Sequence, residues 1–296
     1  MRLEGGRCIY VFSITVAPVV IDLNRDGVLS YSQAVIDVNH DGQLDHSAWV
    51  APQDGVLVWD QHHDGKVHDA SQFMFAAAPG ETDLQGLAAQ FDTNHDGVFN
   101  AQDALFSEFA VWQDSNQNGV SDAGEVRSLA DVGLTALSLQ SDGVTRQSAP
   151  DVHEAGRSTA TASDGSSVLL GDVGFAFTSL TSVAPSSAKQ GEVNLATDTS
   201  ANLLQLSLQD LLALPTETLF DASNTTLLSG APLQPAQHQL MVTGDSNDVV
   251  KIDPTLLTDT HTVVSHNDHS YQVYTVDSAH TQLLIDHNIV NAGRVL

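Results

Sequence analysis

The chain is short of positive charge. Ten lysines and arginines stand against 37 aspartates and glutamates, which leaves a formal net charge of −27 over 296 residues. With no basic patch to neutralise phosphates, nucleic acid and anionic membrane are excluded as expected partners, and divalent cations are the natural counterpart. A single cysteine, Cys8, excludes a disulfide framework within the chain, and no Cys/His spacing offers a zinc site. The sequence has no run of 18 apolar residues, so no membrane span is expected. Three methionines are too few for the Met-rich groove of an intracellular calcium sensor. Acidity does not mean disorder here. Charged residues make up only 16% and apolar residues 42%, the balance of a globular chain with room for two cores.

What the chain does have is side-chain oxygen at regular intervals. Two twelve-residue stretches carry it at positions 1, 3, 5, 9 and 12 with glycine at position 6. The first has Asp92, Asn94, Asp96, Gly97, Asn100 and Asp103; the second has Asp114, Asn116, Asn118, Gly119, Asp122 and Glu125. That is the ligand pattern of an EF-hand calcium loop. Ca²⁺ takes six to eight oxygens at roughly 2.3–2.6 Å, so a short loop must close tightly around it. Position 7 then offers its carbonyl, and the glycine makes the turn that a Cβ would hinder. Helical spacing flanks both loops: Leu84, Leu87, Ala88 and Phe91 before the first, Leu105, Phe109 and Trp112 between them, Val126, Leu129 and Ala130 after the second. Gly133 is the expected stop.

Three further acidic loops precede this pair. They carry Asp22, Asn24 and Asp26; Asp37, Asn39, Asp41 and Asp45; and Asp60, His62 and Asp64. Each keeps an apolar residue at position 8, and none has an acid at position 12, where Gln33, Ala48 and Ser71 stand. Their coordination must be completed from elsewhere or by water, and His62 is a poor ligand for a hard cation. Of the 13 histidines, His40, His63 and His95 occupy the outward-pointing fourth position and are expected to be solvated. In chain order, the ligand set expected from the five loops is Asp22, Asn24, Asp26, Asp37, Asn39, Asp41, Asp45, Asp60, Asp64, Asp92, Asn94, Asp96, Asp103, Asp114, Asn116, Asn118, Asp122 and Glu125. Thirteen of these are carboxylates, and crowding them together opposes folding without metal.

Beyond Gly133, residues 134–140 and 166–177 read as strands, the second entered through an Asp164-Gly165 turn. Residues 178–200 turn to Ser, Thr, Ala, Pro and Gly and read as a linker. From Ala201 a mostly-β region follows. Ser207 and Asp210 open a short helix that Pro215 ends, and strand-like runs occupy 240–243, 249–253, 263–265, 271–276 and 283–285. The expected class is therefore α+β: an EF-hand-like calcium-loop module with short helices and strands over 15–177, a linker over 178–200, and a small mostly-β domain over 201–296. Residues 1–14 read as an extension or the end of an upstream segment. Arg2 followed by the run from Cys8 to Ile21 is a faint likeness of a signal peptide, broken by Ser13, Thr15 and Pro18 and without a cleavage motif.

The order of these features resembles a known arrangement. Ala17-Pro-Val-Val-Ile-Asp-Leu-Asn24 running to Gly27, Gly55-Val-Leu-Val-Trp-Asp60, the Asp92 and Asp114 loops, and Ala162 to Phe175 together look like one module. It is the calcium-dependent self-processing module, and its inactive relatives, of iron-regulated RTX proteins and large secreted bacterial adhesins. The resemblance implies Ca²⁺ as the cofactor and an extracellular or cell-surface location. Residues 206–212, 242–250, 271–276 and 283–286 resemble the terminal region of type I-secreted adhesins. That likeness implies type I secretion machinery and a cell-surface or host ligand as partners. In active modules an Asp-Pro bond before the first loop is cut when the aspartate carboxylate attacks its own carbonyl and the proline nitrogen leaves. Here the corresponding pair is Ala17-Pro18, which has no nucleophile. The expectation is thus a non-enzymatic calcium-binding structural module that folds after export, with calcium-dependent autocatalytic Asp-Pro cleavage as the alternative.

Overall fold

The computed structural model describes residues 2–4, 7–9, 15–197, 200–216 and 219–296. The chain divides into two compact units between Ser179 and Leu180. Most of residues 1–14 lies outside the described residues; within that stretch Arg2–Glu4 and Arg7–Ile9 pair as antiparallel strands.

The N-terminal unit is organised by one antiparallel sheet. Its main path runs Val126–Ser128, Phe109–Trp112, Gly55–Trp59, Val19–Ile21, Ser167–Ser179, Val152–Ala162, Leu134–Ser138, Val98–Asn100. A hairpin of Tyr31–Ile36 and Asp45–Val50 joins the far end of the long Ser167–Ser179 strand, with Ser47 opposite Phe177. The middle strands are unbroken apolar runs, Val19 to Ile21 and Val56 to Val58. Both faces of the sheet are covered there, and every one of those side chains is buried. One face packs Trp49, Trp112, Phe73 and Phe175, and the other packs Leu84, Leu87, Phe91, Phe99 and Phe109. The helix Asp83–Gln90 covers the second face at close range. A Cβ on Gly86 would stand 2.1 Å from the Phe75 carbonyl oxygen, so this position requires glycine.

The fold corrects the expected α+β class: the protein is mostly β, and neither complete loop has the helix on both sides that an EF-hand has. The α-helix before Asp92 is present, but Leu105, Phe109 and Trp112 do not share one. A 3₁₀ turn at Phe106–Glu108 leads directly into the Phe109–Trp112 strand, and Val126 begins another strand. The physical reason is burial on every side. Phe109, Ala110, Val111 and Trp112 are all buried, with sheet partners on both edges, whereas a helix would turn one residue in three or four toward water.

In the C-terminal unit, Thr181–Val183, Asn202–Gln205 and Val249–Lys251 form a parallel sheet. A second sheet has the order Glu192–Asn194, His238–Thr243, Thr281–Asp286, His269–Val276, Thr258–His266, Thr226–Ser229. Strands Thr181–Val183 and Glu192–Asn194 fall within the stretch read as a linker. Among the described residues no helix is long and apolar enough to cross a membrane.

Candidate functional site

All five acidic loops adopt one backbone form. Position 4 is left-handed in each, with φ of 59° at Arg25, 57° at His40, 53° at His63, 58° at His95 and 61° at Gln117. Position 6 is a glycine with positive φ in each: Gly27, Gly42, Gly65, Gly97 and Gly119. The first aspartate then accepts the N–H groups of positions 5 and 6. Asp22 takes Asp26 N and Gly27 N at 3.2 and 2.8 Å, and Asp37 takes Asp41 N and Gly42 N at 2.9 Å each. Asp60 takes Asp64 N and Gly65 N at 3.2 and 3.1 Å, and Asp92 takes Asp96 N and Gly97 N at 3.2 and 2.9 Å. Asp114 takes Asn118 N and Gly119 N at 3.1 and 3.0 Å. Asn24, Asn39, Asn94 and Asn116 each turn Oδ1 to the position-5 N–H at 3.1–3.2 Å.

A second carboxylate closes each of the two complete loops across its N–H groups at positions 2 and 9. Asp103 accepts from Thr93 N at 2.8 Å and Asn100 N at 2.9 Å. Glu125 accepts from Ser115 N at 2.8 Å and Asp122 N at 3.1 Å, while Asp122 also holds the side-chain amides of Asn116 and Asn118. In the first loop the same station is filled from outside. Asp54, fully buried at the turn before the Gly55–Trp59 strand, accepts from Leu23 N at 3.2 Å and Ser30 N at 2.8 Å, positions 2 and 9. Burial, with Asp22 nearby, pushes the Asp54 carboxyl up to about 6. The sequence reading missed it because 31 residues separate Asp54 from Leu23 and no local spacing marks it. In the Asp37 loop, buried Asp45 accepts from Val38 N at 3.3 Å, and among the described residues its Oδ1 accepts no hydrogen bond. An orphaned carboxylate oxygen beside Asp37 and Asp41 suits a cation. Burial raises the Asp45 carboxyl above its ordinary range.

The loops are tied to the cores in different degrees. Asp114 is buried and also accepts the Trp49 indole N–H at 3.0 Å. Burial pushes its carboxyl up. His40, expected to be solvated, instead packs against Phe73 and Trp112, with ring centres 5.8 and 6.3 Å away, and burial lowers its pKa. His63 and His95 are exposed as expected. Among the described residues no three carboxylate, imidazole or thiol side chains already lie together as a finished cage. The donor set an ion would meet in the loops that open with Asp22, Asp37, Asp92 and Asp114 is carboxylate, amide and carbonyl oxygen, the hard set that suits Ca²⁺.

An antiparallel sheet bearing repeated acidic loops, each built on a left-handed residue and a glycine, defines the class of module. The SPM domain family model matches residues 19–176, over half of the chain, and the chain belongs to that family. Iron-regulated protein FrpA of Neisseria meningitidis serogroup C is 31% identical over 166 residues, which is 53% of this chain and 15% of that protein. The chain thus spans under a sixth of the length of this relative.

Proposed function

We propose that the chain is a calcium-binding structural module of a secreted RTX-type or adhesin-like protein, one that becomes rigid on binding calcium outside the cell. The observation that carries this reading is the shared loop form: one backbone geometry in five loops, four of them with an all-oxygen donor set, along a chain of net charge −27. The family membership and the likeness to an iron-regulated protein support the setting. Extracellular calcium modules bind at about 10⁻⁴–10⁻³ M, far above cytosolic calcium, so the loops would stay empty before export and fill after it. An ion at ten times its Kd stabilises the folded state by about 1.4 kcal/mol, and several such ions amount to a sizeable part of a domain's stability. Before export the crowded carboxylates repel one another, which suits passage through type I secretion machinery as a loose chain.

Urea denaturation followed by circular dichroism tests this. In millimolar calcium the midpoint is expected well above that in chelator, with a sharper near-ultraviolet spectrum. Identical curves in the two buffers would sink the proposal.

The module is proposed to be non-catalytic. Ala17 offers a methyl group where attack on the backbone carbonyl needs a carboxylate. The chain's Asp253-Pro254 pair lies in the other unit, and its carboxylate caps a 3₁₀ turn by accepting from Thr255 N at 2.9 Å and Thr255 Oγ1 at 2.6 Å. Prolonged incubation of purified protein with calcium is therefore expected to give one band on a denaturing gel. Two bands summing to the intact mass, with a new terminus at Pro18, would make it an enzyme.

A further inference from the structure

One of the five loops is closed by a different kind of group. At the station filled by Asp103, Glu125 and Asp54 elsewhere, the Asp60 loop has Gln72, one residue beyond position 12 and fully buried. Its Oε1 accepts the position-9 N–H, from His68, at 2.6 Å, as the carboxylates do in their loops. Its Nε2 donates to the Lys66 carbonyl at 3.2 Å and to the Trp59 carbonyl at 3.1 Å. Lys66 is position 7, whose carbonyl oxygen an ion would need. Two more side chains of the ring meet His68. Asp64 Oδ2, at position 5, meets His68 Nε2 at 2.9 Å. The imidazole of His62, at position 3, stands edge-on to that of His68 with ring centres 5.1 Å apart.

We propose that the Asp60 loop is sealed by the Gln72 side-chain amide and takes up no calcium, so that Gln72 sets this loop apart from the loops that load. This rests on the calcium reading above and refines it. A primary amide satisfies the position-9 N–H and the position-7 carbonyl at once, because it carries an acceptor and a donor two bonds apart. A carboxylate satisfies only the N–H and leaves the carbonyl free for a cation. The amide is neutral, so the sealed loop avoids burying a charge close to Asp60 and Asp64. The loop braces the Asp114 loop, whose Ser121 Oγ accepts Val67 N at 2.8 Å.

Calorimetric calcium titration of the full chain tests the assignment with two variants. Asp64→Asn is expected to leave the number of ions bound unchanged. Gln72→Glu is expected to add one ion per chain, and to lower the melting temperature in chelator while calcium restores it. Loss of an ion in Asp64→Asn would overturn the assignment and leave the general calcium reading standing. A folded Gln72→Glu protein with the wild-type number of ions would overturn it too. If no form takes up calcium, Gln72→Glu included, both readings fall together.

Discussion

Asp114→Ala is expected to destabilise the N-terminal unit by several kcal/mol, more than any other single loop substitution. The carboxylate accepts three hydrogen bonds, from Trp49 Nε1, Gly119 N and Asn118 N. Alanine leaves the first two donors buried without acceptors, at about 1–3 kcal/mol each, and removes the third bond as well. Trp49 cannot swing out to find water. Its ring is held edge-on against Trp112 and Phe73 and tilted against Phe175, with centres 5.4, 6.2 and 5.5 Å away. The loss is therefore carried into the core and is not confined to the loop. Asp92→Ala is the comparison: among the described residues that carboxylate accepts only Asp96 N and Gly97 N, both part-buried. Urea midpoints of the two variants in chelator should fall in the order wild type, Asp92→Ala, Asp114→Ala. Equal shifts would mean that the indole bond contributes nothing and that Asp114 acts only as one more loop acid.

The same contrast explains what could be seen in the sequence. The five loops were legible because their shape depends on neighbours: an aspartate that captures N–H groups four and five residues on, and a glycine at a fixed offset. The helix over Leu84, Leu87 and Ala88 was legible for the same reason, as was the Leu208–Leu212 helix opened by Ser207 and Asp210. Strands at His238–Thr243, His269–Val276 and Thr281–Asp286 follow the apolar runs that marked them. Whatever is decided by distant partners stayed hidden. Leu105, Phe109 and Trp112 have helical spacing, yet Phe109–Trp112 is a strand because Gly55–Trp59 and Val126–Ser128 pair with its two edges. Asp54 looks like an ordinary turn residue until the fold brings it to Leu23 and Ser30, and Gln72, though near its partners Lys66 and His68, falls outside the twelve-residue ligand pattern. Closure of the Asp92 and Asp114 loops is as local as their shape, whereas closure of the Asp22 loop is tertiary.

Asp83→Asn is expected to stabilise the protein at pH 8 and to change little at pH 4. Asp83 is fully buried in the first turn of the helix, where its Oδ1 accepts Phe75 N and Ala76 N at 2.5 and 2.6 Å. Its Oδ2 has no hydrogen-bond partner among the described residues. Asp172, also buried, already occupies the helix N-terminus by accepting Asp83 N and Leu84 N at 3.3 and 3.1 Å. Burial pushes the Asp83 carboxyl up to about 7, and the Asp172 charge adds to the rise against the two N–H groups. Its unfolded value is the ordinary 3.8. A carboxyl raised in the folded state contributes stability that is fully present below the unfolded pKa and is lost as pH rises through the folded one. That window runs from about 4 to about 7. Asparagine keeps the acceptor for Phe75 and Ala76 and never ionises, so the variant escapes the loss. At about 1.4 kcal/mol for each tenfold change in proton affinity, its advantage above pH 7 reaches at most about 4 kcal/mol. Urea midpoints of wild type and variant, compared in chelator from pH 4 to pH 8, should coincide at the acid end and separate steadily upward. A constant offset across that range would mean that Asp83 does not take up its proton on folding.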